Sequence, residues 1–307
     1  MCFRLCLAVA LTLGQLSTAP AVENVSTRVQ PTFRAALDVV TIHASVRDRR
    51  GRPVTGLSPG DFQVRDNGQL RQILSLRADQ SSPISLALLV DVSGSMRLSG
   101  KMAMAREAYS MVLSQLRQGQ DEAAVYIFDQ SLQERRGFTR DIAGLQGALA
   151  DLEAFGVTSL YDATAAAARR VAQRPSANKA IVVFTDGTDT SSRMTASDVS
   201  GIAASIDVPV YVVATVPASE QRQLSEPARA TSDGADLRDL AAWTGGQFVF
   251  ASNAGETTAA AAALIAELRH QYLLGIEAAG DREWRRLDVR VSRPASVVKA
   301  RAGYFGG

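Results

Sequence analysis

Asp91-Val92-Ser93-Gly94-Ser95 gathers one carboxylate and two hydroxyls directly after the apolar run Leu86–Val90. Gly94 lets such a segment turn back tightly, so Ser93 and Ser95 can face the point that Asp91 faces. A second apolar run, Ala180–Phe184, leads into Thr185-Asp186-Gly187 and delivers another carboxylate. Between the two, Gly156-Val157-Thr158-Ser159 precedes a helical pattern and offers a third hydroxyl. Every donor is oxygen. Hard oxygen ligands suit Mg²⁺, with Mn²⁺ or Ca²⁺ as alternatives, and not zinc or copper. Two carboxylates and three hydroxyls leave an octahedral ion a position for water, or for a carboxylate from outside. The chain has two histidines, His43 and His270, too few for a multi-histidine zinc site and little for a histidine-based catalytic machine. Asp162 and Asp189 lie near the motif in sequence. Each reads either as support for the ligands or as an ordinary carboxylate of a helix N-terminus or turn.

The elements that must position these residues follow from periodicity. Val40, Ile42, Ala44 and Val46 alternate with polar residues, which predicts a half-buried strand with His43 on its solvated face. Phe62 and Val64 alternate likewise, and Asp66-Asn67-Gly68 supplies a tight hairpin turn before Leu70, Ile73 and Leu76. From Ser85 the rhythm changes. Apolar strands are expected at 85–90, 123–128, 180–184, 208–216 and 247–251. Helices are expected at 102–116, 142–152, 160–171, 199–206, 237–243 and 258–270. Met102, Met104 and Met111 sit at helical spacing and read as core. Strands without polar alternation, separated by helices, imply a mostly parallel sheet covered on both faces. After Tyr272 the pattern returns to β, with Leu287, Val289 and Val291 alternating with polar residues. The basic residues Arg282, Arg285, Arg286, Arg290 and Arg293 read as the solvated face of a strand pair, and Trp284 as packing at a sheet edge.

At 307 residues, 46% hydrophobic and 21% charged, the chain falls in the globular range, and disordered, collagenous and low-complexity classes drop out. A formal charge of +2 is too balanced for a protein held to nucleic acid by charge. The start is different. A basic Met1–Arg4, the apolar Leu5–Leu16 and Ala19-Pro20-Ala21 have the form of a secretory signal peptide cut after about Ala21. Its apolar run is short of the roughly 20 residues that a span requires, so no transmembrane segment is expected in the mature chain. Both cysteines, Cys2 and Cys6, fall inside this leader. An exported chain without cysteine fits a bacterial secreted, periplasmic or envelope protein better than a disulfide-bonded extracellular domain.

Asp91-x-Ser93-x-Ser95 alone, or Thr185-Asp186-Gly187 alone, is compatible with an ordinary turn. The pieces in this order, each at the end of an expected element, are specific. Asp91, Ser93, Ser95, then Thr158, then Asp186 resemble the metal-ion-dependent adhesion site of von Willebrand factor type A (VWA) domains. The resemblance covers roughly residues 83–271. It implies that the serines and the threonine approach a metal that the aspartates bind directly or through water, and that the fold is a doubly wound, Rossmann-like α/β sheet. The flanks are similar to those of bacterial secreted VWFA-related proteins, in Gly56-Leu57, Asp61-Phe62 and Asp66-x-Gly68 before the domain and Tyr272-Leu273-Leu274-Gly275 and Arg301-x-Gly303-Tyr304 after it. Val157 stands where many members have glycine.

The expected organisation is a signal peptide (1–21), an N-terminal β segment (22–82), a VWA domain (83–271) and a C-terminal β segment (272–307). Each β segment is too small for a core of its own, so the two are expected to pair into a small β-sandwich into which the α/β domain is inserted. The leading functional expectation is a non-enzymatic module that holds a divalent cation and captures an Asp or Glu carboxylate of a protein partner, with loops 97–100 and 188–193 as the rim. A metal-dependent phosphohydrolase is the alternative, but the dehalogenase-type pattern needs Asp-x-Asp and Ser93 takes the second position. No nucleophile elbow or phosphate loop is present. A structural envelope protein is the third reading.

Overall fold

The computed structural model describes residues 39–205, 207–225, 236–281 and 283–306. The expected leader and Arg282 lie outside them. In chain order the elements are β1 (Val39–Asp48), β2 (Phe62–Asp66), β3 (Gln69–Arg71), β4 (Ile73–Asp79), β5 (Ile84–Asp91), α1 (Lys101–Ser114), β6 (Glu122–Phe128), β7 (Leu132–Thr139), α2 (Leu160–Ala172) and β8 (Asn178–Thr185). There follow α3 (Ala196–Ser205), β9 (Val210–Ala214), α4 (Ala218–Ser225), α5 (Leu237–Trp243), β10 (Phe248–Phe250), α6 (Ala254–Arg269), β11 (Gln271–Glu277), β12 (Trp284–Val291), β13 (Ser296–Ala300) and β14 (Gly303–Phe305). Among these described helices none is long and apolar enough to cross a membrane.

A six-stranded sheet in the order β10-β9-β8-β5-β6-β7 forms the centre of a mixed α/β fold. Its strands are parallel except β7, which joins β6 antiparallel at the edge. β5 is buried along its whole length because both faces are covered. Ile84, Leu86, Leu88 and Val90 pack with α1 and α6 on one side, while Ala87 and Leu89 pack with α2, α3 and α5 on the other. The period-two side-chain alternation of a strand thus divides one apolar run between two cores.

Two expectations fail here, for physical reasons. β7 was not foreseen: its sequence LQERRGFT is polar and mostly exposed, as suits an edge strand whose charges discourage further pairing. The helix expected at 142–152 is only a short 3₁₀ segment, Ala143–Leu145, followed by turns. Gly144 and Gly147 weaken a helix there, yet Ile142, Leu145, Ala148 and Leu149 are still buried.

The remaining strands form two four-stranded sheets, β13-β1-β11-β4 and β14-β12-β2-β3. In both, residues from the two ends of the described chain are neighbours: Ile42 pairs with Leu274, and Val64 with Val289. Ile42, Val46, Phe62, Val64, Leu274 and Leu287 share one apolar core. The expected hairpin turn is present. Asn67 and Gly68 both have positive φ, 47° and 83°, the backbone twist that suits a two-residue connection.

His43 is only partly exposed. Its ring meets the Gln271 side chain at 2.8 Å and the Asp207 carboxylate at 3.3 Å. Near it, Glu267 is paired with Arg47 and Lys299. On the polar face of β1, His43 and Arg47 lie against polar partners, while Thr41 stays exposed. The arginine cluster also divides. Arg290 is exposed, but Arg285 is buried and gives its Nε–H to Asp66 at 2.7 Å. Asp66 is fully buried and also accepts from Arg71 and the Tyr304 hydroxyl. Removing a buried carboxylate leaves its cation uncompensated, which typically costs roughly 3–5 kcal/mol. Asp66→Ala is therefore expected to lower the unfolding free energy by about that amount. Urea denaturation checks it, and a loss below about 1 kcal/mol would contradict the pairing as a major support.

Candidate metal centre

β5 and β8 are adjacent and parallel, with Val90 opposite Phe184. From β5 the chain crosses to β6 on one side, whereas β8 lies on the other. A crevice opens at such a switch point, beyond the carboxyl ends of the strands, and it is where open α/β sheets bind ligands. Asp91 ends β5 and Asp186 follows the last residue of β8.

Asp91 is fully buried. Its Oδ1 accepts the Ser93 backbone N–H at 2.8 Å, and its Oδ2 accepts the Thr185 hydroxyl at 2.6 Å. Ser93 and Ser95 bring their Oγ atoms to 3.1 Å of each other. The turn between them packs against the loop that carries Thr158: Gly94 N–H donates to the Gly156 carbonyl at 2.9 Å, and Phe155 N–H to that of Val92 at 2.6 Å. A Cβ on Gly94 would lie 3.3 Å from the Gly156 oxygen, tight enough to push the two loops apart. Thr158 is buried and its carbonyl accepts from Thr190 and Ser191, both at 3.0 Å. All five sequence-selected residues thus stand at one edge of the sheet, Asp91 as the last residue of β5 and the other four on the connections beyond the strands. Asp91, Ser93 and Ser95 are linked directly by hydrogen bonds, whereas among the described residues the Thr158 hydroxyl has no hydrogen bond to the other four.

Asp162 and Asp189 belong to the scaffold. Asp189 accepts the Leu160 N–H at 2.8 Å, at the start of α2, and Asp162 accepts those of Arg193 and Met194. Together they clamp the Thr158 loop to the segment after Asp186. Neither histidine takes part. His270 bonds the Ala266 carbonyl, and His43 is engaged as described.

Sequence reading missed Lys101, the first residue of α1. Its ammonium lies 3.2 Å from Asp186 Oδ2 and 2.9 Å from Glu220 Oε2 on α4. A signal was available: the chain has only three lysines, at 101, 179 and 299, among 33 basic residues. Burial lowers the Lys101 pKa, but the Glu220 and Asp186 carboxylates outweigh it and the net shift is upward. Three exposed apolar side chains were also missed. Leu98, Phe155 and Val157, at 62%, 76% and 44% exposed, sit on the loops that flank the centre.

The donor set fits a hard cation. Asp186 Oδ1 is buried and has no hydrogen-bond partner among the described residues, an arrangement that costs free energy unless a cation or donor answers it. Among the described residues no group of three or more His, Cys, Asp or Glu side chains could hold a metal. A cation here therefore depends on the hydroxyls as well as the two carboxylates.

Residues 86–188, which contain all five candidate ligands, match the model of the von Willebrand factor type A domain. The chain carries a VWA domain. No curated protein matches it in sequence. Among solved structures it is similar to an aerotolerance-related membrane protein from Bacteroides fragilis, at 18% identity and a TM-score of 0.48, over 60% of this chain and 98% of that one. It is similar to a von Willebrand factor type A protein from Catenulispora acidiphila, at 14% identity and a TM-score of 0.47, over 89% and 76% of the two chains. The vWF domain of the type V pili tip protein Mfa5 from Porphyromonas gingivalis matches at 22% identity and a TM-score of 0.31, over 38% and 44%. The identification of the VWA domain rests on the matched segment and not on these distant likenesses.

Burial, with the Asp186 charge adding to it, pushes the Asp91 carboxyl up to about 6, against the hydrogen bonds from Thr185 and Ser93. The folded chain then holds this proton more tightly than the unfolded chain. Its contribution to stability is present below the ordinary carboxylate range and is lost as pH rises through about 6, a swing of roughly 3 kcal/mol. Asp91→Asn lacks that swing. In chelator-containing buffer the Tm of the variant minus that of the wild type should increase from about pH 4 to about pH 7.5. A difference that stays constant over this range would contradict the assignment.

Proposed function

We propose that the VWA domain binds a divalent cation, Mg²⁺ foremost and Mn²⁺ or Ca²⁺ as alternatives, through Asp91, Ser93, Ser95, Thr158 and Asp186, and uses it to capture an acidic side chain of a protein partner. The observation that carries this reading is the unpartnered, buried Asp186 Oδ1 beside Asp91 at the switch point of the sheet. Two carboxylates roughly neutralise a divalent ion, and hydroxyls are neutral donors. When bound, the ion would offer Lewis acidity to one further anionic oxygen. Asp91 and Asp186 hold position because the strands behind them are buried, and Thr185 and Ser93 orient the Asp91 oxygens.

The surroundings suit a protein ligand better than a small ester. One metal–carboxylate contact is too small an interface for stable association, and the rest must come from the rim. Leu98, Phe155 and Val157 offer apolar contact, while the exposed Arg97 and Arg193 favour an acidic segment. Ser93 stands where a phosphohydrolase of the Asp-x-Asp type needs its acid–base aspartate, and both histidines are engaged elsewhere. We therefore read the module as non-enzymatic, a mediator of metal-dependent interaction or adhesion. In the same reading the chain is exported by residues 1–21 to the periplasm, cell envelope or medium of a bacterium. Residues 22–82 and 272–307 build one β-sandwich, from which the domain at 83–271 extends as a separable unit.

Titration calorimetry of the full chain with Mg²⁺ should show one site, absent in Asp91→Ala, with the circular dichroism spectrum retained because the substitution removes a carboxylate whose charge burial and Asp186 already disfavour. Unchanged Mg²⁺ affinity in that variant would remove the metal assignment. Once a partner is in hand, replacing its interfacial Asp or Glu by the amide at saturating Mg²⁺ should weaken binding at least tenfold. Undiminished affinity at every acidic position would overturn carboxylate capture while leaving the metal in place.

A further inference from the structure

Lys101 is buried, 8% exposed, and its ammonium bridges Asp186 and Glu220. Lysine is rare in this chain: three residues among 33 basic ones. The planar fork of arginine suits a bidentate carboxylate partner, whereas an ammonium is a compact point charge that fits between two separate oxygens. Here the two oxygens belong to different structural elements. Asp186 follows β8 and presents a candidate metal-binding carboxylate; Glu220 lies on α4, an eight-residue helix of mostly polar sequence. Asp186 Oδ2 is on the ammonium, and Oδ1 is the buried oxygen without a partner.

We infer that Lys101 is a tethered cation that competes with the divalent ion for Asp186 and connects the metal centre to α4 through Glu220. The inference rests on the metal reading above and goes beyond it. Its basis is charge counting. Asp91, Asp186 and Glu220 are three carboxylates around one ammonium, and Lys101 takes up Asp186 on Oδ2 while Glu220 shares its charge. An ion bound to Asp186 at roughly 2.1 Å would sit within about 5–6 Å of the ammonium. Repulsion between a divalent and a monovalent cation at that separation is on the order of tenfold in binding even at the dielectric constant of bulk water. The site is thus set to a weaker affinity than its ligands alone would give. Glu220 relieves part of the competition because it gives the ammonium a second place to rest. Binding of the ion shifts Lys101 toward Glu220, and the Lys101–Glu220 pair in turn favours the ion. Such coupling is reciprocal.

The opposite directions of two variants make the test. In Lys101→Met, Mg²⁺ should bind at least about tenfold more tightly by titration calorimetry, because the like charge is gone. The metal-free variant should be less stable than wild type, and added Mg²⁺ should raise its Tm by more than it raises that of wild type. In Glu220→Gln the ammonium has only Asp186 to pair with, and Mg²⁺ should bind several-fold more weakly. In Lys101→Met/Glu220→Gln the second substitution should cost clearly less than it does alone, which measures the coupling. A lysine that only braces the fold would lower Tm on removal without tightening Mg²⁺, and unchanged or weaker Mg²⁺ binding in Lys101→Met overturns the inference. Should Lys101→Met not fold, Glu220→Gln decides alone, and undiminished affinity in it overturns the inference. A wild-type chain whose Mg²⁺ titration equals that of Asp91→Ala would overturn the metal reading itself, a result distinct from wild-type binding that Lys101→Met fails to tighten.

Discussion

Asp91 ends a strand that is buried from its first residue to its last, and it carries a carboxylate into a space from which water is excluded. Charge there is costly unless it is answered. The neighbourhood consists largely of partial answers. Thr185 and Ser93 donate hydrogen bonds, yet Asp186 brings a second negative charge to the same crevice. Lys101 then compensates Asp186 on one oxygen only. The residual excess of negative charge is held by rigid strands and tightly turned loops, and on the proposed reading a divalent cation would answer it. Without such an answer the excess makes that edge less stable than an apolar alternative would be.

The loops earn their positions through backbone contacts. Gly94 and Gly156 approach closely enough for an N–H to carbonyl bond, and Asp162 and Asp189 clamp the two segments that bracket Thr158. These carboxylates act on the main chain, so they fix where the ligand oxygens stand without being ligands themselves. The result is a centre whose side chains come from three separate stretches of sequence and whose geometry depends on a network around them.

Much of this could be read from the sequence. Uninterrupted apolar runs located β5, β6 and β8, and the oxygen donors that follow them were expected at one edge of the sheet, where they lie, because buried strands and tight turns leave strong local patterns. Apart from the helix expected at 142–152, which two local glycines weaken, the failures share a cause: the deciding partner was distant. Nothing within LQERRGFT announces that it will pair antiparallel with β6. Periodicity correctly separated the two faces of β1, but a polar face need not be a wet one, and His43 and Arg47 meet Asp207 and Glu267 instead. Arg285 looked like its exposed neighbours because Asp66 lies 219 residues away. Lys101 was hidden for the same reason, since its partners come from two other elements.

The pairing of β4 with β11 has a mechanical consequence. The chain enters the six-stranded α/β part just after Asp79 and leaves it just before Gln271, and these two residues are directly opposite one another in the sheet. The α/β part therefore hangs from two adjacent, cross-linked strands. Tension applied along the flanking chain is carried first by the ladders of β4, β11 and β1, and it cannot stretch the α/β part until the Asp79–Gln271 end of the ladder has opened. A load arriving instead at the far edge, through anything bound there, pulls both strands in the same direction and is shared between two covalent backbones. The edge that carries Asp91 and Asp186 is in this way shielded from extension of the chain that supports it.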